Sequence, residues 1–185
     1  MRNFWKWVIL CLTLAVLLPG CGGGNFFDGV WTGKIYGDDL ELAFANDFCF
    51  MVYEQYETEF TRYSFMRKEG ILVTDLGNLP AELKGNVLTI TVEGTSVVLV
   101  KDTKTARAPG AINGGWEGPD GMIVAFINDK VYFLDNDLDG DYGTYTFSGN
   151  SGSIKSRRYR YELDFTVKGN TITVTDQDLT FTRIR

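Results

Sequence analysis

One sequence unit occurs twice in this chain of 185 residues, and the repeat limits the available folds more than any other feature does. Residues 29–33 (GVWTG) match residues 114–118 (GGWEG), which lie 85 positions further on. Three more blocks follow in the same order, at offsets of 82, 82 and 84: residues 42–47 match 124–129, 63–65 match 145–147, and 84–89 match 168–173. Ordered blocks with small length changes between them are typical of a duplication whose loops have drifted. We therefore expect two copies of one structural unit.

Short apolar runs alternate with turn residues within each copy. In the first copy Asn46-Asp47, Gly85-Asn86 and Glu93-Gly94 are among seven turn signals, which predict about eight strands. Leu40, Leu42 and Phe44 occupy alternate positions, the period of a strand with one buried face. The sequence therefore predicts an all-β fold, an antiparallel up-and-down meander.

A meander of this size has two open edges unless it closes into a barrel. We predict two small barrels in tandem, residues 29–101 and residues 114–185, joined by a polar linker at 102–113 that contains Pro109-Gly110. The alternative is that the two copies are halves of one barrel with a common core.

The N-terminal segment has the pattern of a signal peptide. Arg2 and Lys6 form a basic start, and an apolar run at residues 8–18 follows, too short to span a bilayer as a mature helix. We expect residues 1–20 to be cleaved, so that the body lies outside the cytoplasm.

Residues 18–21 (LPGC) resemble the lipobox of bacterial lipoproteins, with Cys21 as the new N-terminus. The resemblance implies that Cys21 carries acyl chains such as palmitate, and that the protein is held at a membrane of the cell envelope, the outer membrane in a Gram-negative cell. Residues 21–28 then form the lipidated cysteine and a flexible tether, which begins Gly22-Gly23-Gly24. The other interpretation is a plain secretory signal with an incidental cysteine.

Composition limits the chemistry of the mature chain. It contains no histidine, which removes the commonest general base and the commonest zinc ligand. Cleavage removes two of the 18 basic residues and none of the 24 acidic ones, leaving a net charge of −8 that argues against nucleic acid as a partner. Cys49 lies in an apolar run, where a buried inert thiol is expected. We expect no enzymatic activity.

Gly29-Val30-Trp31 and Gly114-Gly115-Trp116 open the two copies, and through them the chain resembles the bacterial lipocalin-like lipoproteins. In that family the Gly-x-Trp motif lies on the first strand, and a basic residue of the last strand packs across the tryptophan. The resemblance implies that Lys101 packs on Trp31 and Arg183 on Trp116. If the two copies shared one barrel, the pairs would be exchanged.

One acidic segment has the spacing of a calcium loop. Asp135, Asp137, Asp139 and Asp141 stand at alternate positions around Gly140, so that a loop could turn carboxylate oxygens toward Ca²⁺. The glutamate expected at the twelfth position is replaced by Thr146. The alternative is a solvated hairpin loop.

A basic stretch with interleaved tyrosines covers residues 155–161 (KSRRYRY). It could contact anionic lipid headgroups or an acidic partner. The alternative is the solvated face of a strand with its tyrosines turned inward.

These features favour a membrane-anchored, non-catalytic binding or interaction module of the envelope. One alternative is a lipocalin-type carrier of a small hydrophobic ligand, and another is an inhibitor of an exported hydrolase. The barrel interior separates the first two functions: a packed core favours protein partners, and a cavity of a few hundred Å³ with a mouth favours a ligand.

Overall fold

Two antiparallel β-barrels follow one another along the chain. The computed structural model describes residues 27–53, 57–66, 69–74, 77–134 and 140–184. Barrel one contains β1 (Gly29–Ile35), β2 (Asp38–Ala45), β3 (Phe48–Tyr53), β4 (Glu57–Met66), β5 (Ile71–Thr74), β6 (Gly77–Lys84), β7 (Val87–Val92) and β8 (Thr95–Lys101). Barrel two contains β9 (Gly114–Glu117), β10 (Ile123–Ile127), β11 (Lys130–Leu134), β12 (Gly140–Ser148), β13 (Ser151–Ser156), β14 (Glu162–Lys168), β15 (Thr171–Val174) and β16 (Leu179–Arg183). The predicted all-β class and the two tandem barrels are confirmed.

Each strand of barrel one pairs with its neighbours in the chain, and β1 also pairs with β8, which closes the sheet. Closure removes the open edges of the meander. In barrel two the order runs from β10 to β16 and then to β9. A one-turn 3₁₀ helix (Pro119–Gly121) separates β9 from β10, and this last seam is held by a single bridge between Asn113 and Phe126.

The two barrels have separate cores, so the shared-barrel alternative is wrong. The interior of barrel one is built from residues of the first copy, including Trp31, Phe44, Leu88 and Leu99. The interior of barrel two is built from the second copy and the linker: Ala108, Ile112, Trp116, Val124, Phe126, Val131, Ile154, Phe165, Val167, Ile172, Val174 and Phe181.

A third apolar cluster joins the barrels. Ala43 on β2 and Ala125 on β10 are fully buried, and they occupy equivalent positions of the two copies. The ring of Phe50 stacks on that of Tyr132 with centroids 5.4 Å apart. The carboxylate of Glu41 accepts a hydrogen bond of 2.6 Å from the Tyr132 hydroxyl and forms a 2.5 Å ion pair with the Lys130 ammonium group. The barrels therefore pack through their sheet faces, with a partly buried polar bridge at Glu41.

A buried tryptophan closes each barrel at the end nearer its partner. The indole N–H of Trp31 donates to the carbonyl of Phe27 at 2.7 Å, and that of Trp116 donates to the carbonyl of Ile112 at 2.8 Å. Lys101 Nζ lies 5.2 Å from the centroid of the Trp31 ring, in the strand position opposite it. These are the residues that the lipocalin-like resemblance pairs in barrel one.

In barrel two the cation over the tryptophan is an arginine, which also donates hydrogen bonds to backbone carbonyls. The guanidinium carbon of Arg183 lies 4.2 Å from the centroid of the Trp116 ring, and the two residues are opposite each other in the ladder. Arg183 also donates to the carbonyls of Asn113 at 2.6 Å and Ala111 at 2.5 Å. Because burial disfavours its charge, the pKa of Arg183 is lowered. The carbonyl acceptors offset that cost.

The glycine of each Gly-x-Trp motif is required by backbone and by space. Gly29 has φ +121° and Gly114 has φ +101°, a region that L side chains rarely adopt. A Cβ at Gly29 would lie 3.1 Å from Cε of Lys101. The motif thus leaves room for the cation that covers the tryptophan.

The chain before β1 belongs to the core, which corrects the predicted tether. Phe27 is fully buried, and its ring contacts those of Phe65 and Phe44 at 4.9 and 5.2 Å between centroids. Phe27 is therefore not part of a flexible tether, and residues 21–26 of the predicted segment lie outside the described residues. The predicted linker at 102–113 likewise contributes a buried side chain to barrel two, that of Ile112.

We expect Trp116→Ala to lower the free energy of unfolding by about 3–5 kcal/mol, because it empties a fully buried site. Arg183→Met should cost about 1.5–3 kcal/mol, since it removes charge-assisted hydrogen bonds as well as the ring contact. Lys101→Met removes the ring contact and should cost about 0.5–2 kcal/mol. Urea titration of the three variants tests this order. Equal losses for Arg183→Met and Lys101→Met would contradict a role for the carbonyl contacts.

Candidate functional site

The interior of barrel two contains an apolar cavity of about 240 Å³. Its lining comes from most strands of the barrel and from the loops at one end: Met122, Val124, Phe126, Phe133, Leu134, Asp141, Ile154, Tyr159, Tyr161, Leu163, Ile172, Val174, Gln177, Leu179 and Phe181. Met122, Tyr159 and Gln177 lie in loops at the end opposite Trp116, so the cavity opens at that end. From the sequence, such a cavity is expected only under the alternative function of a lipocalin-type carrier.

Two lining residues are smaller than their counterparts in the first copy. Val124 stands where the first copy has Leu42, and Val174 stands where it has Ile90. Each difference removes one methyl or methylene group from the interior. Comparison of the two copies detects these two differences, but other lining positions are larger in the second copy: Phe181 stands where the first copy has Leu99, and Leu179 where it has Val97. The cavity therefore does not follow from side-chain size alone.

Aromatic side chains edge the mouth. The rings of Tyr159 and Tyr161 are nearly parallel, with centroids 6.3 Å apart, and Tyr161 also contacts Phe133 at 5.8 Å. The guanidinium carbon of Arg158 lies 5.2 Å from the Tyr159 ring centroid. Tyr159 is 46% exposed. Tyrosines with an apolar body and a polar tip suit a boundary between an apolar interior and water.

The basic stretch is a loop rather than the predicted alternative of a strand face. Strand β13 ends at Ser156, and the arginines that follow are exposed in the connection to β14. The Tyr159 side chain is largely exposed at this turn, where Arg160 has a positive φ of 57°. The stretch thus lies at the rim of the cavity.

Of the four proposed calcium ligands, Asp141 falls within the described residues, and Asp135, Asp137 and Asp139 lie outside them. Asp141 is 2% exposed and anchors the β13–β14 loop. Its carboxylate accepts hydrogen bonds from the Ser156 hydroxyl, from the backbone N–H of Tyr142 at 2.6 Å and from that of Arg158 at 3.2 Å. These contacts assign Asp141 a structural role at the cavity mouth. In the described ranges no three acidic or cysteine side chains converge as a metal site would require.

A polar cleft lies between the two barrels, and the sequence analysis did not anticipate it. It consists of two adjoining cavities of about 180 and 260 Å³ that share Asp28, Gly29, Arg107 and Asn128. Asp28 precedes β1, Asn128 lies in the β10–β11 turn, and Arg107 comes from the linker. Burial raises the pKa of Asp28 to about 6, and Lys101 and Arg107 act against that shift.

The structure describes Cys49 but not Cys21. Cys21, the proposed lipidation site, lies outside the described residues. Cys49 is buried in barrel one, and burial raises the pKa of its thiol, which keeps it protonated. Among the described residues, no helix has the length and apolarity needed to cross a membrane.

Comparison with known proteins places the chain in no family. No family model matches it, and no curated protein matches it. Among solved structures it matches the DNA polymerase sliding clamp of Pseudomonas aeruginosa and the DNA polymerase III beta subunit of Thermotoga maritima, each with a TM-score of 0.17 and 10% identity. These matches cover 84% and 85% of this chain and 56% of each of the other chains, so the chain spans little more than half their length. A TM-score this low supports no statement about fold or function.

We expect Asp28→Asn to stabilise the protein at pH 8 and to have little effect at pH 4. The pKa of Asp28 is higher in the folded state than its ordinary value of 3.8, so folding binds a proton more tightly, and ionisation of Asp28 costs stability as the pH rises through about 6. Thermal melts of both proteins from pH 4 to pH 8 measure the difference. A constant difference across this range would show that the carboxyl group does not titrate as described.

Proposed function

We propose that this protein is a lipid-anchored, non-catalytic binding protein of the bacterial cell envelope, and that barrel two carries a small hydrophobic ligand. The supporting observation is the apolar cavity of about 240 Å³ with its aromatic mouth. Ligand pockets are concave, mainly apolar and edged by a few polar groups, and this cavity has those properties. It is larger than an engineered 150 Å³ cavity that holds benzene, so the proposed ligand is a substituted ring or a short branched chain.

The contacts around the cavity support a fixed mouth. Asp141 ties its carboxylate to the loop that presents Tyr159 and Tyr161. The ring of Tyr161 rests on Phe133 of β11, which lines the wall. A rim held this way loses little freedom on binding, and affinity gains from that preorganisation.

The envelope location rests on the N-terminal sequence. The lipobox-like residues 18–21 follow an apolar run and precede a glycine run. An acylated Cys21 would attach the barrels to a membrane surface through the few residues that precede Phe27, which is buried in barrel one. A carrier at that surface meets apolar compounds that partition into the bilayer.

Binding of a protein partner is a second candidate function, favoured by one surface of barrel one. Val98 and Val100 on β8 are each 52% exposed, and Val87 on β7 is 38% exposed and pairs with Val100. Adjacent exposed valines are unfavourable in water. A partner that covers them would account for their presence.

Filling the cavity should abolish ligand carriage. Val174 lines the cavity and is 3% exposed, whereas its neighbour Thr173 faces outward. We expect solvent extraction and mass spectrometry of purified protein to release the same small apolar compound from the parent chain and from Thr173→Phe. Val174→Phe should release much less, because its ring occupies the ligand volume.

Circular dichroism and thermal melting serve as the control for this comparison, since Val174→Phe must be shown to fold. A folded Val174→Phe variant that retains the compound at the molar ratio of the parent would contradict carriage in this cavity. Val98→Lys changes the exposed valine surface of barrel one, and it should leave the amount of released compound unchanged if the cavity is the binding site.

Lipidation has a separate test. Replacing Cys21 by Ser removes the thiol that acyl transfer requires, so the variant should no longer incorporate radiolabelled palmitate in bacterial cells. It should accumulate as uncleaved precursor or be released from the membrane fraction. Cys49→Ser is the matched control, because that thiol is buried and should leave labelling unchanged. Palmitate incorporation by the Cys21 variant would refute the lipoprotein assignment.

A further inference from the structure

The polar cleft between the barrels contains buried hydrogen-bonding groups that the described protein leaves unused. Asn128 is 6% exposed, and within the described part of the chain its side-chain Nδ2 has no hydrogen-bond partner. Asp28 Oδ1 is buried and likewise lacks a donor there. Both residues line both compartments of the cleft. An unpaired donor and an unpaired acceptor in one cleft are costly unless something supplies both missing partners.

The equivalent residue of the first copy shows what a satisfied side chain does at this position. Asn46 accepts from the backbone N–H of Gly115 at 3.0 Å and donates to the carbonyl of Ile184 at 3.4 Å. Its amide group thus bridges the barrels. Asn128 faces the opposite barrel and lines the cleft with Asp28 and Gly29, but its buried Nδ2 has no carbonyl acceptor among the described residues.

Five charged groups face this volume. Arg183 is occupied by carbonyls and by the Trp116 ring, and Lys101 lies over Trp31. Asp102 accepts from the backbone N–H groups of Lys104 and Thr105 in its own turn. Arg107 is exposed and, among the described residues, forms no salt bridge; Asp28 is the fifth group. The lining groups that lack partners among the described residues are therefore the exposed guanidinium of Arg107, the buried amide donor of Asn128 and the buried carboxylate oxygen Oδ1 of Asp28.

We propose that the cleft between the barrels is a binding site for a small carboxylate that also carries a hydroxyl or ammonium group, such as a short hydroxy acid or amino acid. The ligand carboxylate accepts from Asn128 Nδ2 and pairs with Arg107, whose planar guanidinium suits a carboxylate. The ligand hydroxyl or ammonium group donates to Asp28 Oδ1. The compartments, of about 180 and 260 Å³, accept a molecule of a few carbons.

Calorimetric titration of the full chain with L-lactate, L-alanine and propionate tests the proposal. L-lactate or L-alanine should bind at least about fivefold more tightly than propionate, which lacks the donor for Asp28. Arg107→Gln and Asn128→Asp should each weaken that binding about tenfold or more, because each removes a donor to the carboxylate. Asn128→Asp suits the positive φ of 56° at this turn.

Asn150→Asp, the same change in an exposed turn, is the matched control and should bind as the parent does. Val174→Phe should also bind as the parent does, which separates this site from the barrel-two cavity. If Asn128→Asp melts early, Arg107→Gln decides alone, since its side chain is exposed. Absence of binding by all three probes, equal affinity for all three, or parent-like affinity in Arg107→Gln would overturn the proposal.

Discussion

Both barrels depend on a buried tryptophan held between a carbonyl and a cation. The indole N–H would be costly to bury without an acceptor, and the residue four positions earlier supplies one in each copy. This hydrogen bond also holds the segment before each tryptophan against the end of the barrel, where the side chains of Phe27 and Ile112 are buried. The cation then joins the first strand to the last. One side chain therefore fixes the entry of the chain, the end of the barrel and the closure of the sheet.

The duplicated closure also determines how the barrels meet. The outer faces of β2 and β3 pack on those of β10 and β11, and equivalent residues contact the opposite barrel, as in an isologous dimer interface. Ala43 and Ala125 allow the sheets to approach closely, while Glu41 provides a partly buried polar bridge. The two halves are not identical, because Asn46 finds two backbone partners in barrel two and Asn128 leaves its amide donor in the cleft. The polar cleft originates in that difference.

Sequence reasoning reached the architecture because the fold is governed by short local signals. The repeat offsets and the alternation on β2 predict two copies of a β meander, and the lipocalin-like resemblance implies the pairs of Trp31 with Lys101 and of Trp116 with Arg183. The choice between two barrels and one shared barrel needed the structure. Phe27 and Ile112 were missed, although they match at the offset of 85 that aligns the tryptophans. The cavity and the cleft could not be predicted from the sequence. Each is the small space left over where many large side chains pack, and that remainder depends on their exact positions. A basic loop such as residues 155–161 was also ambiguous, since composition does not fix where a strand ends.

The cavity of barrel two connects its proposed ligand to the stability of the fold. Empty apolar volume costs about 24 cal/mol per Å³ in core mutants, which for 240 Å³ amounts to about 6 kcal/mol as an upper figure, because water enters an open mouth. That is comparable with the whole free energy of unfolding of many small domains. A ligand that fills the cavity recovers part of this cost and binds the folded state alone. The proposed ligand would therefore stabilise barrel two, while the Trp116 end and the interface with barrel one hold the cavity walls in place without it.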